Sequence, residues 1–114
     1  MGQYFLIANL DKKEYIHPHN FIDKTGNYFG AKLWEICANK IAGVLPYLLR
    51  KSDETGGGDI QDPELFPNAG RWAGDRIVVI GDYDSSELYD KICDSEDWTE
   101  ISSIIAEEYQ RFIE

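Results

Sequence analysis

The run Arg76-Ile-Val-Val-Ile-Gly81 limits the fold more than any other segment of this 114-residue chain. Consecutive β-branched residues are stiff in a helix and fit a pleated surface. An unbroken apolar run without polar alternation describes a strand covered on both faces. Asp75 and Gly81 bound it, so a buried strand is expected over 76–81.

A sheet needs further strands, and the N-terminus supplies them. Gln3-Tyr-Phe-Leu-Ile-Ala-Asn-Leu10 is apolar, Asp11-Lys12-Lys13 is a polar turn, and Glu14-Tyr-Ile-His-Pro18 resumes an alternation. This is the pattern of a β-hairpin. Pro18 cannot donate to a ladder and biases His17 towards an extended conformation, so the second strand ends there.

Between hairpin and strand, Leu33, Cys37, Ile41, Leu45 and Leu48 recur at helical spacing within Ala31–Ser52. The main helix is expected there, with a kink or break near 43–46 where Pro46 would cost about 3 kcal/mol in a helix interior. Residues Asp53 to Asp75 hold no sustained period and form the longest loop. Asp84 with Glu87 and Asp97 with Glu100 both have capping-box spacing. The first predicts a short helix through about Ile92. The second predicts a helix with Trp98, Ile101, Ile105 and Phe112 as its apolar stripe and its acids turned to solvent.

The element order is therefore β-β-α-loop-β-α-α. The expected fold is one α+β domain over 1–114, a small sheet with helices packed against one face. Fifteen aromatic residues give such a domain enough apolar surface to offset chain entropy.

Charge is distributed very unevenly. Residues 1–57 carry six acids against seven Lys/Arg, and residues 58–114 carry fifteen against four, which makes +1 and −11 of the total −10. A balance of that sign repels duplex nucleic acid and anionic lipid, because each phosphate contact needs a cation to displace a counterion. No apolar run reaches membrane-helix length and no signal peptide is present, so a cytoplasmic location is expected. Leu6 stands where a myristoylation motif wants Ser or Thr. Cys37 and Cys93 read as reduced core residues, without a CxxC or adjacent His that would suggest zinc or redox chemistry.

Four groups of residues could carry function. From Gly81 to Glu100, the eight acids Asp82, Asp84, Glu87, Asp90, Asp94, Glu96, Asp97 and Glu100 face one base, Lys91. Self-repulsion of that density is relieved by a cation or a basic partner, which makes this stretch a candidate docking surface. His17 and His19, with Asp82 and Asp84 after the buried strand, could form a mixed divalent-metal site. An EF-hand is excluded, since Glu87 and Cys93 occupy positions that require Gly and Glu. Gly56-Gly57-Gly58-Asp59 lacks the Lys of a phosphate loop, and Gly70-Arg-Trp-Ala-Gly-Asp75 is either a binding edge or a structural turn. Together they offer Asp59, Arg71, Trp72 and Asp75 as a possible ligand loop. The serines lack a nucleophile-elbow context and no catalytic triad is legible.

The segments Met1-Gly-Gln-Tyr, Asn9-Leu-Asp-Lys-Lys-Glu-Tyr15, His17-Pro-His19, Lys32-Leu-Trp-Glu35, Gly56-Gly-Gly-Asp59 and Trp72-Ala-Gly-Asp-Arg-Ile-Val-Val-Ile-Gly-Asp-Tyr83 resemble a family of small prokaryotic and phage proteins without an established activity. The resemblance covers roughly residues 1–84. It implies a shared fold and a common feature built from the two Gly/Asp loops, and it carries no catalytic role.

The function expected from these residues is a cytoplasmic interaction domain, without cofactor, that binds a basic protein through residues 82–100 as an inhibitor or immunity-type protein would. The alternative is a divalent-metal-dependent enzyme acting on a phosphorylated or nucleotide substrate, with His17, His19, Asp82 and Asp84 around the ion and Asp59 or Asp75 as general base.

Overall fold

The computed structural model describes residues 2–22, 25–26 and 30–114, so Met1 of the first motif lies outside the described residues. The N-terminal hairpin forms as expected, with β1 at Phe5–Asn9 and β2 at Glu14–Ile16 paired antiparallel through Ile7↔Ile16 and Asn9↔Glu14. Asn9 organises the turn. Its side-chain Oδ1 accepts from the backbone N–H groups of Asp11 at 2.9 Å and Lys12 at 2.8 Å, and Lys13 closes the reversal at φ 55°.

β1 and β2 are the inner strands of a four-stranded mixed sheet in the order β3-β1-β2-β4. β3, at Ile77–Gly81, lies antiparallel to β1 from Phe5↔Gly81 to Asn9↔Ile77. β4, at Thr99–Glu100, runs parallel to β2. β3 is thus an edge strand. Its faces are nevertheless both covered: Ile77 and Val79 pack on one hydrophobic cluster, Val78 and Ile80 on the other. Coverage of both faces is what the apolar run encodes, and it says nothing about the strand's lateral neighbours.

The protein is an α+β fold with helices on both faces of the sheet. On the first face, Ile7 and Ile16 meet Ile36, Ile41, Val44 and Leu48 from the segment after the hairpin, and Ile105 and Tyr109 from the last helix, with fully buried Trp72 among them. On the second, Leu6, Ala8 and Ile80 meet Ile92, flanked by Leu88, Tyr89 and Trp98. That second layer was not expected. It follows from β1, whose successive residues Leu6, Ile7 and Ala8 are all fully buried and must be covered from both sides.

The helix expected over 31–52 is three pieces: α1 at Leu33–Ala38, a 3₁₀ turn at Lys40–Gly43, and α2 at Val44–Leu49. The break falls at Asn39, which is extended at ψ 173°, rather than only near Pro46. Pro46 sits in the first turn of α2, where its missing N–H costs little. In α1 the buried position is Ile36, so Cys37, one step round the helix, is exposed, and so is Cys93 beside buried Ile92. Neither cysteine is a core residue.

Both expected capping boxes are absent. Asp84 Oδ2 instead accepts from the Ser86 N–H at 3.1 Å and from its hydroxyl, and Glu87 takes a left-handed conformation at φ 60° ahead of α3, Leu88–Asp94. Thr99 N–H donates to Lys13 O and Ile101 N–H to Tyr15 O, both at 2.9 Å. These bonds hold residues 99–101 against the hairpin, and α4 begins only at Ser102 and runs to Ile113. Trp98 and Ile101 consequently fall on opposite faces of the sheet.

Candidate functional site

The motif residues before β3 converge on the hairpin. Arg71 places its guanidinium on the Glu14 carboxylate, with Nε donating to Oε1 at 3.0 Å, and the Trp72 indole N–H donates to the same oxygen at 2.9 Å. The guanidinium beside Glu14 holds its carboxyl below the usual range. Asp75 accepts from Lys12 and from Asn9 Nδ2, and Asp11 accepts from the backbone N–H of Arg76 at 2.7 Å and its Nε at 2.9 Å. Both carboxyls are lowered by these bonds.

Both Gly/Asp loops flank the C-terminal end of α2. Arg50 binds Asp59 through two nitrogens at 2.7 and 2.6 Å, which with the Ile60 N–H lowers the Asp59 carboxyl to about 2. Gly70 N–H donates to Tyr47 O and Trp72 N–H to Leu48 O, both at 2.9 Å. At Gly70 φ is +79° and a Cβ would lie 2.5 Å from the Arg50 carbonyl oxygen, so only glycine fits this approach. Asp59, Arg71, Trp72 and Asp75 are therefore each engaged within the chain, and Trp72 is fully buried.

The network extends to a residue that sequence reasoning missed. Glu108 on α4 is 4% exposed, and its carboxylate accepts from the Tyr47 hydroxyl and from Asn68 through the backbone N–H at 3.0 Å and Nδ2 at 3.1 Å. Burial, and then that carboxylate, push the Tyr47 phenol above its ordinary value. The acids of α4 do not all face solvent. Position 108 continues the spacing of Ile101 and Ile105, and an acid on a core stripe was the available signal.

The acids after β3 behave differently. Asp84, Glu87, Asp90, Asp94, Glu96, Asp97 and Glu100 are exposed and Asp82 is partly exposed. Among the described residues, the ion pairs are Lys12–Asp75, Arg50–Asp59, Arg71–Glu14, Arg76–Asp11 and Arg111–Glu107, so all four arginines are committed and none of these eight acids has a cationic partner. Even Lys91 turns its Nζ to the Ser86 carbonyl at 3.1 Å. Asp82 accepts from the Tyr4 N–H at 3.1 Å, and Glu100 accepts from Asn20 Nδ2 at 2.7 Å.

His17 and His19 meet at the exit of β2 with ring centroids 5.6 Å apart, and Tyr4 lies 5.3 Å from His19. Asp82 is bonded to the backbone of that same tyrosine, and Asp84 to Ser86. Among the described residues no group of three or more His, Cys, Asp and Glu side chains is arranged to hold a metal ion. His17 Nδ1 is buried without a hydrogen-bond partner, and burial lowers the basicity of the ring.

No family model, no curated protein and no solved structure matches the chain. Among the described residues no helix is long and apolar enough to cross a membrane.

Proposed function

We propose that this protein is a cytoplasmic interaction domain that engages a Lys/Arg-rich protein through the surface formed by Asp82 to Glu100, in the manner of an inhibitor or immunity-type protein. One observation carries the reading: among the described residues all four arginines are spent on internal ion pairs and the eight acids of one contiguous segment have no cation. Each uncompensated carboxylate adds to a field that a basic surface would lower, and such complementarity raises association rates by about 10–10³-fold at low salt.

Binding of polylysine, and of candidate basic proteins, measured by surface plasmon resonance at several salt concentrations, tests the proposal. The triple reversal Asp90→Lys, Asp94→Lys and Glu96→Lys is expected to slow association by about tenfold or more. A control with the same change of net charge, Asp53→Lys, Glu54→Lys and Glu64→Lys, alters exposed acids outside the segment and is expected to leave most of the rate intact. Equal effects of the two triples would reduce the interaction to net charge and defeat the assignment.

A further inference from the structure

Backbone hydrogen bonding leaves one edge of the sheet open. Leu10 N–H donates to Arg76 O and Asp82 N–H to Tyr4 O, both at 2.9 Å, on either side of the Leu6↔Ile80 and Ala8↔Val78 pairs. Alternate residues of an antiparallel strand turn their backbone groups to opposite sides, so the even-numbered residues of β3 face β1 and Ile77, Val79 and Gly81 face outward. The Gly81 carbonyl accepts from Asp84 N–H at 3.2 Å. Among the described residues nothing pairs with the outward N–H or C=O of Ile77 or Val79.

Exposed strand edges are ordinarily guarded by proline, by lysine or by a bulge. Ile77-Val78-Val79-Ile80-Gly81 has none of these, and its ladder to β1 runs unbroken over all five residues. Such an edge leaves backbone groups with which another strand can pair.

We propose that the occupant is β3 of a second copy, paired antiparallel so that Val79 lies opposite Val79 and the two four-stranded sheets become one. The end charges favour this occupant and exclude most other registers. With Val79 on the two-fold axis, the Ile77 carbonyl faces the Gly81 N–H of the second copy, whose own carbonyl already accepts from Asp84, and Val78 meets Ile80. Arg76 falls directly opposite Asp82, twice, and on the same face of the sheet. Arg76 keeps 74% of its side chain exposed while bound to Asp11, so it can reach across. Shifting the register by two residues one way places Ile80 opposite Arg76 and loses the charge match, whereas shifting it the other way places Asp84 there and keeps an Arg–Asp pair, so charge narrows the pairing to these two registers. Of the acids close to this edge, Asp75 is already held by Lys12. The remaining repulsion between two chains of charge −10 is screened within about 8 Å at physiological ionic strength. Self-association therefore strengthens as salt rises, whereas the interaction with a basic partner weakens, and the two proposals fail independently.

Light scattering coupled to size exclusion reads the result directly. The expected mass at submillimolar concentration and moderate salt is twice the 13.1 kDa of the chain. Val79→Pro removes an outward N–H without removing a bond to β1 and is expected to return the mass to that of the monomer. Asp82→Arg, which sets arginine against Arg76, is expected to weaken the dimer at least tenfold and serves if the proline variant does not fold. A monomer at every concentration and salt, as an edge reserved for a different partner would give, overturns the proposal. So does a dimer whose mass is unchanged in folded Val79→Pro or Asp82→Arg.

Discussion

Glu14 and Glu108 show how single carboxylates tie distant parts of this chain together. Glu14 binds Arg71 and Trp72, Arg71 also donates to Asn68 Oδ1 at 2.6 Å, and Asn68 donates to Glu108, which takes the Tyr47 hydroxyl. This path joins β2, the loop before β3, α4 and α2. The groups around Glu108 are all donors, so its value lies in accepting from each of them. Glu108→Gln replaces one acceptor oxygen with an amide that must face a donor. A buried donor left without a partner costs about 1–3 kcal/mol, and that is the expected loss in urea-induced unfolding. A change below about 0.5 kcal/mol, the range of ordinary surface substitutions, would show the carboxylate to be dispensable.

At the scale of elements, Pro46 gives a separate expectation. If it interrupted a continuous helix, Pro46→Ala would stabilise the protein by about 3 kcal/mol. Its place in the first turn of α2 predicts a change of less than about 1 kcal/mol in the same unfolding measurement, because no helical hydrogen bond is restored and the unfolded chain gains freedom. The hairpin, β3 and the existence of the helices were legible in the sequence, since hydrophobic period and β-branching are local properties. The edge position of β3 was not, because a strand covered on both faces reads alike at the centre or the rim of a sheet. β4 was illegible for a related reason: two residues, Thr99 and Glu100, form a strand only because the Lys13 and Tyr15 carbonyls await donors far away in sequence. For the candidate site, the density of acids along 82–100 could be read directly. Their lack of cations among the described residues could not, since it depends on arginines 50, 71, 76 and 111 finding carboxylates elsewhere in the fold.

The whole molecule combines these pairings into a dependence on pH. Asp11, Glu14, Asp59 and Asp75 all have carboxyls held below ordinary values by the cations and N–H groups that bind them. A group depressed on folding contributes stability that is fully present above its unfolded value and is lost as pH falls through its folded one. The window therefore opens near 4.5 for Glu14 and 3.8 for the aspartates and extends down to about 2, set by Asp59. His17 acts with the same sign higher up: burial lowers its folded value beneath 6.5, so the unfolded chain takes the proton first and stability declines as pH drops below that point. Between neutrality and the isoelectric point near 4.5, falling negative charge relieves self-repulsion and opposes the His17 contribution. Below 4.5 the two tendencies align, because the net charge turns positive while the ion pairs are being broken. Calorimetry across pH 7 to 2 is expected to show a shallow upper limb and a steep fall in Tm below 4.5. Glu14→Gln should lower Tm at neutral pH and flatten that fall, and His17→Gln should change only the upper limb. A Tm that holds constant from 4.5 to 2 would mean that the four carboxylates brace nothing, and that the hairpin and the loop before β3 are joined by apolar packing alone.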